Sequence, residues 1–369
     1  MWMIDPNDGA FKQALNLDAE PNPTRELPMA DERVRVMLVM ADTAYRDLFD
    51  DELRSRLDAL AELVLPGPVE SFGSPGVRAA LGRTDVLLTS WGCPPLDAAV
   101  LGDAPRLRAV LHAAGSVKHH VTDACWDRGL AVTTAADANA VPVAEFTLAA
   151  ILAAGKRAHA FAAGFRAHPG ELAWRDGVAG AAGEASNYRR TVGVVGFSRI
   201  GRRVAGLLQP FDLTVLVADP YADAAAVAAA GAELVELDDL VRRAHVVTLH
   251  APALPATHHL IDARRCALMK DGATLINTAR GALVDHAALT GECERGRLHA
   301  LLDVTDPEPL PPDSPLYRLP NVVLTPHIAG AMGSECRRLA ALALDELDRL
   351  VRGEPLRHRV HRAELVVQA

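Results

Sequence analysis

Aromatic residues are scarce: four Trp, four Tyr and eight Phe make up 4% of 369 residues. The cores of this chain must therefore rest on Ala, Leu and Val, within an ordinary globular composition of 50% apolar and 23% charged residues. Paired cysteines are also missing. Cys93, Cys125, Cys266, Cys293 and Cys336 are far apart, without a CxxC or zinc-like spacing. They read as reduced structural thiols, which excludes a disulfide framework, and no metal is proposed. No basic run occurs; 38 Lys and Arg stand against 47 Asp and Glu for a net charge of −9, so nucleic acid is not an expected partner. No uninterrupted apolar stretch reaches the roughly eighteen residues that a membrane span needs, and no membrane partner is expected. Residues 1–32 carry Asp5, Asp8, Asp18 and Glu20 among prolines, with no apolar signal core. They are expected to form a loose extension to a cytoplasmic chain.

What is present is alternation. The length suits two domains rather than one core. Val34–Met40 is an apolar run without alternation, as in a strand buried on both faces. A helical pattern follows from Leu48 to Leu60, and apolar runs return at 86–88, 109–111 and 130–132. Pro142 is placed to open a long helix that runs on to Phe165, and 167–190 reads as connection. A second series begins at Thr191, with strands at 191–197, 213–219, 246–249, 274–276, 301–304 and 322–324 and a last helix from about Gly333 to Val351. Strands and helices in turn predict an α/β fold of βαβ units with parallel sheets. The expected architecture is two Rossmann-like domains: a substrate domain of 33–140 and 331–369, and a doubly wound nucleotide domain of 141–330 inserted in it.

The turn after Thr191–Val195 carries Gly196, Phe197, Ser198, Arg199, Ile200 and Gly201. A dinucleotide fingerprint needs glycines there for the tight turn, for approach to pyrophosphate and for helix packing. Ser198 stands at the middle glycine, which weakens the pattern. Asp219 strengthens it, because it closes the next strand 18 residues past Gly201. A carboxylate there accepts from ribose hydroxyls and repels a 2′-phosphate, so NAD is expected over NADP; a plain turn before Pro220 is the alternative. The helix N-terminus beside Ser198 offers positive potential to the pyrophosphate.

Three further blocks stand in order. Asn277–Asp285 reads NTARGALVD, Asp303–Leu310 reads DVTDPEPL, and Leu324–Gly330 reads LTPHIAG, with LHAP (Leu249–Pro252) ahead of them. Each residue alone would be an ordinary loop charge. Together they resemble the signature blocks of the D-isomer-specific 2-hydroxyacid dehydrogenases, over roughly Val34 to Val351. The resemblance implies that Arg280, Glu308 and His327 form the catalytic set, and that the active site lies in the cleft between the domains, the substrate domain being flavodoxin-like. It also implies cofactor contacts from His250, Ala251, Pro252, Thr257, Thr278, Ala279, Arg280, Asp303, His327 and Gly330. The chemistry wants these types. A forming alkoxide needs a proton donor that titrates near neutrality, which histidine is, and a carboxylate on its other nitrogen fixes the tautomer. A substrate carboxylate suits the forked guanidinium.

By the same resemblance Ser90, Trp91 and Gly92, with Gly115 and Ser116, join Arg280 and His327 in binding the substrate, a small 2-keto or 2-hydroxy acid. Lys118 and Ser116 depart from the family's usual loop. Trp91 reads equally as a wall of the site or as core, and Asn139 as the family's asparagine or as an N-cap. His112, His119 and His120 are left without a role. Two rivals share the fold: an NAD-gated sensor or corepressor, and an oxidoreductase acting on phosphite or formate. Glu308 speaks against formate, since formate dehydrogenases of similar architecture have glutamine there. The alanine-rich helix predicts a homodimer, and the chain matches short forms without a regulatory domain.

Overall fold

The longer strands form where a β-branched or leucine-rich run can be buried on both faces, and the side chains sort accordingly. The computed structural model describes residues 33–181 and 185–366; the extension expected over 1–32 lies outside them. Among these residues the chain forms two compact units, one of 33–139 with 331–366 and one of 140–330.

The first unit holds five parallel strands: β1 (Arg35–Val39), β2 (Glu62–Leu63), β3 (Val86–Thr89), β4 (Ala109–His112) and β5 (Ala131–Thr134), in the order β2-β1-β3-β4-β5. This is the flavodoxin-like order, with its switch point between β1 and β3. Val36 and Leu38 enter one apolar cluster and Met37 and Val39 the other, so both faces are covered. The last helix, Cys336–Val351, packs Leu339, Ala343, Leu344 and Leu347 into the first of these clusters. Each such leucine contributes about 1.5–3 kcal/mol by leaving water.

The second unit holds seven parallel strands: β6 (Arg190–Val195), β7 (Leu213–Ala218), β8 (Glu233–Leu234), β9 (Val246–Leu249), β10 (Thr274–Asn277), β11 (His299–Leu302) and β12 (Val322–Leu324). Their order is β12-β11-β10-β9-β6-β7-β8. The chain winds outward from β6 through β8, then returns to β9 and winds the other way. The switch point between β6 and β9 is where a doubly wound sheet binds its ligand. Val192 and Val194 face one cluster and Val195 the other.

Several expected boundaries differ. The helix read from Leu48 to Leu60 is two, Asp42–Leu48 and Asp51–Leu60, because the Asp50 side chain accepts from Leu53 N–H and caps a new start. Pro142 does not open its helix but lies inside Ala136–Gly155. An internal proline costs about 3 kcal/mol, and burial of Ala140, Val143, Ala144, Thr147 and Ile151 offsets it. The helix ends at Gly155, where Arg157 turns left-handed (φ 48°) before a separate helix Ala158–Ala167. The connection read over 167–190 contains the helix Leu172–Ala181. The strand expected at 301–304 starts two residues earlier, at His299. By length and composition Ala136–Gly155 could cross a membrane, but Ala144, Ala150 and Ile151 are locked into a core cluster of the second unit.

Candidate active site

The C-terminal ends of β10, β11 and β12 bring three predicted residues together. The Asn277 amide closes the turn after β10: its Nδ2 donates to Arg280 O (2.8 Å) and its Oδ1 accepts from Ala279 N–H (3.0 Å). Gly281 lies against the backbone after β11, where a Cβ would meet Thr305 O at 2.0 Å. Only glycine allows that approach, and it carries Arg280 toward the Glu308 loop. Burial presses the Arg280 guanidinium below its ordinary range, and the Glu308 carboxylate opposes the shift.

His327 follows β12 in a left-handed conformation (φ 55°) that an L residue adopts at a cost of about 1–2 kcal/mol. Asp303 holds it there. This carboxylate, 1% exposed at the end of β11, accepts from Thr325 Oγ1 (2.6 Å), Ile328 N–H (2.8 Å) and Ala329 N–H (2.9 Å). The His327 N–H donates to Asp303 O (2.9 Å). So fixed, His327 Nδ1 stands 2.8 Å from Glu308 Oε1, both side chains about half exposed. The expected cofactor residue Asp303 is thus the strut of the histidine loop, a role that its place at the head of the second block did not suggest.

At the switch point, Gly196 is left-handed (φ +93°), and a Cβ there would lie 2.8 Å from the backbone of His250 and Ala251. A Cβ on Gly201 would fall 2.0 Å from Gly196 O, so the helix Arg199–Leu208 can start this close to β6 only on glycine. Ser198 and Arg199 are exposed, Ile200 is half-buried, and Ser198 Oγ donates to His250 O (3.4 Å) rather than capping the helix. Asp219 accepts from Phe197 N–H (2.7 Å) and Tyr221 N–H (2.9 Å). A carboxylate offers about four acceptor sites, which leaves capacity for two hydroxyls.

Burial pushes His250 down to about 3, so its ring is neutral; Nε2 pairs with Thr248 Oγ1 (3.0 Å), while Nδ1 is buried and finds no partner among the described residues. Thr257 braces the same loop, donating to Pro252 O (2.6 Å) and accepting from Leu254 N–H (2.8 Å). Thr278 pairs with Thr147 Oγ1 at 3.0 Å, Ala279 is buried, and Gly330 is half-buried past the histidine loop.

The remaining predicted residues belong to the other unit. Ser90, buried after β3, donates to Ala113 O (3.0 Å). Trp91 is 42% exposed, which removes its core reading. Gly92 (φ +87°) presses on Ala41, 2.8 Å from where a Cβ would be. Gly115 and Ser116 are half-buried after β4; Gly115 abuts the Asn139 amide, whose Oδ1 accepts from Ala331 N–H (2.9 Å). Asn139 lies within its helix and is no N-cap. His112 and His120, unassigned from sequence, are buried beside these loops.

Residues 148–329 match the family model of the D-isomer specific 2-hydroxyacid dehydrogenase, NAD binding domain. The D-3-phosphoglycerate dehydrogenase of Mycobacterium tuberculosis is 38% identical over 273 residues, 74% of this chain and 50% of that protein. The chain thus spans about half the length of such relatives. The glyoxylate reductase of Korarchaeum cryptofilum is 34% identical over 261 residues, 70% of this chain and 78% of that protein. The apo D-mandelate dehydrogenase of Rhodotorula graminis aligns with a TM-score of 0.75 at 26% identity, covering 90% of this chain and 98% of that one.

Proposed function

Because the chain belongs to the D-isomer specific 2-hydroxyacid dehydrogenase family, we propose that it moves a hydride between NAD and C2 of a small 2-keto or 2-hydroxy acid. The observation that carries this reading is the 2.8 Å pairing of His327 Nδ1 with Glu308 Oε1, beside Arg280 on the next strand ends.

The switch-point turn fits the cofactor. Gly196 and Gly201 keep the backbone free of side chains, the helix Arg199–Leu208 presents its N-terminal N–H groups, and Asp219 has acceptor capacity for a ribose. Nicotinamide supplies the hydride. Arg280 holds the acid's carboxylate and polarises its carbonyl with a charge that persists at neutral pH. Glu308 takes the Nδ1 proton of His327 in a hydrogen bond, so that Nε2 is the nitrogen that gives its proton to the forming alkoxide. In oxidation, Nε2 accepts that proton from the hydroxyl. Ser90, Trp91, Gly92, Gly115 and Ser116 are proposed as further substrate contacts, on the resemblance of their loops. We also propose a homodimer through the alanine-rich helix Ala136–Gly155, which light scattering tests, and a cytoplasmic location.

His327→Ala tests the assignment. Turnover should fall at least about 100-fold, as general acid–base loss does. Full turnover in this variant would remove His327 from the mechanism.

A further inference from the structure

The second unit holds a cavity at the end of its sheet away from the switch point. Residues that begin the strands line it, Arg190 of β6, Leu213 of β7, Val246 of β9 and Thr274 of β10, together with the end of the helix Ala136–Gly155. From Arg190 to Gly196 the chain runs along β6 for about 20 Å at about 3.3 Å per residue, so the cavity is no part of the nucleotide turn. Its volume of about 290 Å³ lies at the lower end of the roughly 300–1,000 Å³ of small-molecule sites, which suits a small ligand.

The charged lining is mainly cationic: Arg157, Arg190 and Lys270 stand there with His245. Asp271, the carboxylate among the lining residues, is exposed and pairs with Arg297 Nη1 (3.4 Å). The Arg157 guanidinium lies across Gly272, which is left-handed (φ +74°); a Cβ there would meet Nη2 at 2.6 Å. Glycine thus leaves the space that the guanidinium takes.

Donor and acceptor accounting at His245 points to a missing acceptor. The Thr191 N–H donates to His245 Nδ1 (3.0 Å). A ring that accepts at Nδ1 carries its proton on Nε2. That Nε2 stands 3.5 Å from Lys270 Nζ, and an ammonium group has donors only. Two donors therefore face each other with no lone pair between them. The backbone holds both residues in place, since Ala273 N–H donates to Lys270 O and Thr274 N–H to His245 O, each at 3.0 Å. An oxyanion beside the pair satisfies both donors at once, and the Arg157 fork above Gly272 offers a third group.

We propose that this cavity is an anion site, in which Lys270, His245 and Arg157 take the phosphate of a small phosphate monoester. Donors from three separate segments match the three terminal oxygens of a phosphate better than the two of a carboxylate. Ile151, Val192, Leu213 and Val246 complete the lining, and their apolar side chains suit a short carbon chain on the ester oxygen.

Calorimetry on the protein saturated with NADH tests the proposal, because the nucleotide then fills the pyrophosphate turn. Titration with inorganic phosphate should give saturable binding with a Kd of about 1 mM or below, from two or three charge-assisted hydrogen bonds. Lys270→Met and Arg157→Met, both at exposed positions, should each weaken it about tenfold or more while melting as the wild type does. Arg280→Gln, in the proposed active site, should leave it unchanged. Acetate at equal ionic strength should bind at least about tenfold more weakly than phosphate. Absence of saturable binding, or wild-type affinity in both folded Lys270→Met and Arg157→Met, overturns the proposal. Loss in Arg280→Gln without loss in those two variants also overturns it, by placing the phosphate at the active site. Equal affinity for acetate overturns the assignment to phosphate. None of these readings depends on turnover of a keto acid, so the failure of the proposed function would be seen separately.

Discussion

Replacing Glu308 by Gln removes a charge and keeps a shape. The amide oxygen still accepts from His327 Nδ1, so the tautomer and the ring orientation survive. What is lost is the difference between a charge-assisted hydrogen bond and a neutral one, about 1.5–3 against 0.5–1.5 kcal/mol, or close to 1–1.5 kcal/mol. Both side chains are half exposed, so solvent screening reduces that figure. The expected fall in kcat for keto-acid reduction is therefore about three- to tenfold. Glu308→Ala loses orientation as well and should fall further, toward the roughly 100-fold of acid–base loss. Stability should hardly change, because a half-exposed pair contributes at most about 1 kcal/mol. Steady-state kinetics beside thermal melts separate the two effects. Wild-type kcat in Glu308→Gln, or a large loss of stability with no loss of rate, would refute the role given to this carboxylate.

Gly201→Ala should destabilise the second unit by about 1–3 kcal/mol, because a methyl group cannot fit 2.0 Å from Gly196 O; urea unfolding measures it, and a melt equal to wild type would contradict the packing argument. Asp303→Asn leaves one of three donors facing an amide N–H, so it should cost about 2–4 kcal/mol and depress turnover by loosening His327; unchanged melting and turnover would be inconsistent with a strut. His250 makes stability pH-dependent. Its folded value of about 3 lies below the ordinary histidine value, so below pH 6.5 the unfolded chain binds the extra proton. The contribution is complete above that pH and drains away as pH falls toward 3, by up to about 1.4 kcal/mol per unit. Urea melts at pH 7 and pH 5 should show a smaller difference in His250→Gln than in wild type; equal slopes would sink the argument.

Much of this was legible in the chain because buried parallel strands write themselves as unbroken apolar runs. Val34–Met40 and Val246–Leu249 needed nothing else. The two-residue strands Glu62–Leu63 and Glu233–Leu234 carry no such pattern, since edge pairing alone defines them. Pro142 misled because local proline chemistry argues for a helix start, whereas tertiary burial decided otherwise. The three-block resemblance pointed to Arg280, Glu308 and His327, and the strand ends bring them together. Asp303 was less legible as a strut: its partners lie 22 to 26 positions away, across the step from β11 to β12. The pairing of Thr191 with His245 was hidden for the same reason. Only the β6–β9 register joins these residues, 54 positions apart.

The most direct measurement is NADH oxidation by the purified protein across a panel of 2-keto acids, repeated with NADPH. Turnover of at least one acid, with a clear preference for NADH, is the expected result and would support Asp219 as the discriminator. Tight NADH binding with no turnover of any acid would contradict the central claim and point to a nucleotide sensor built on the same fold.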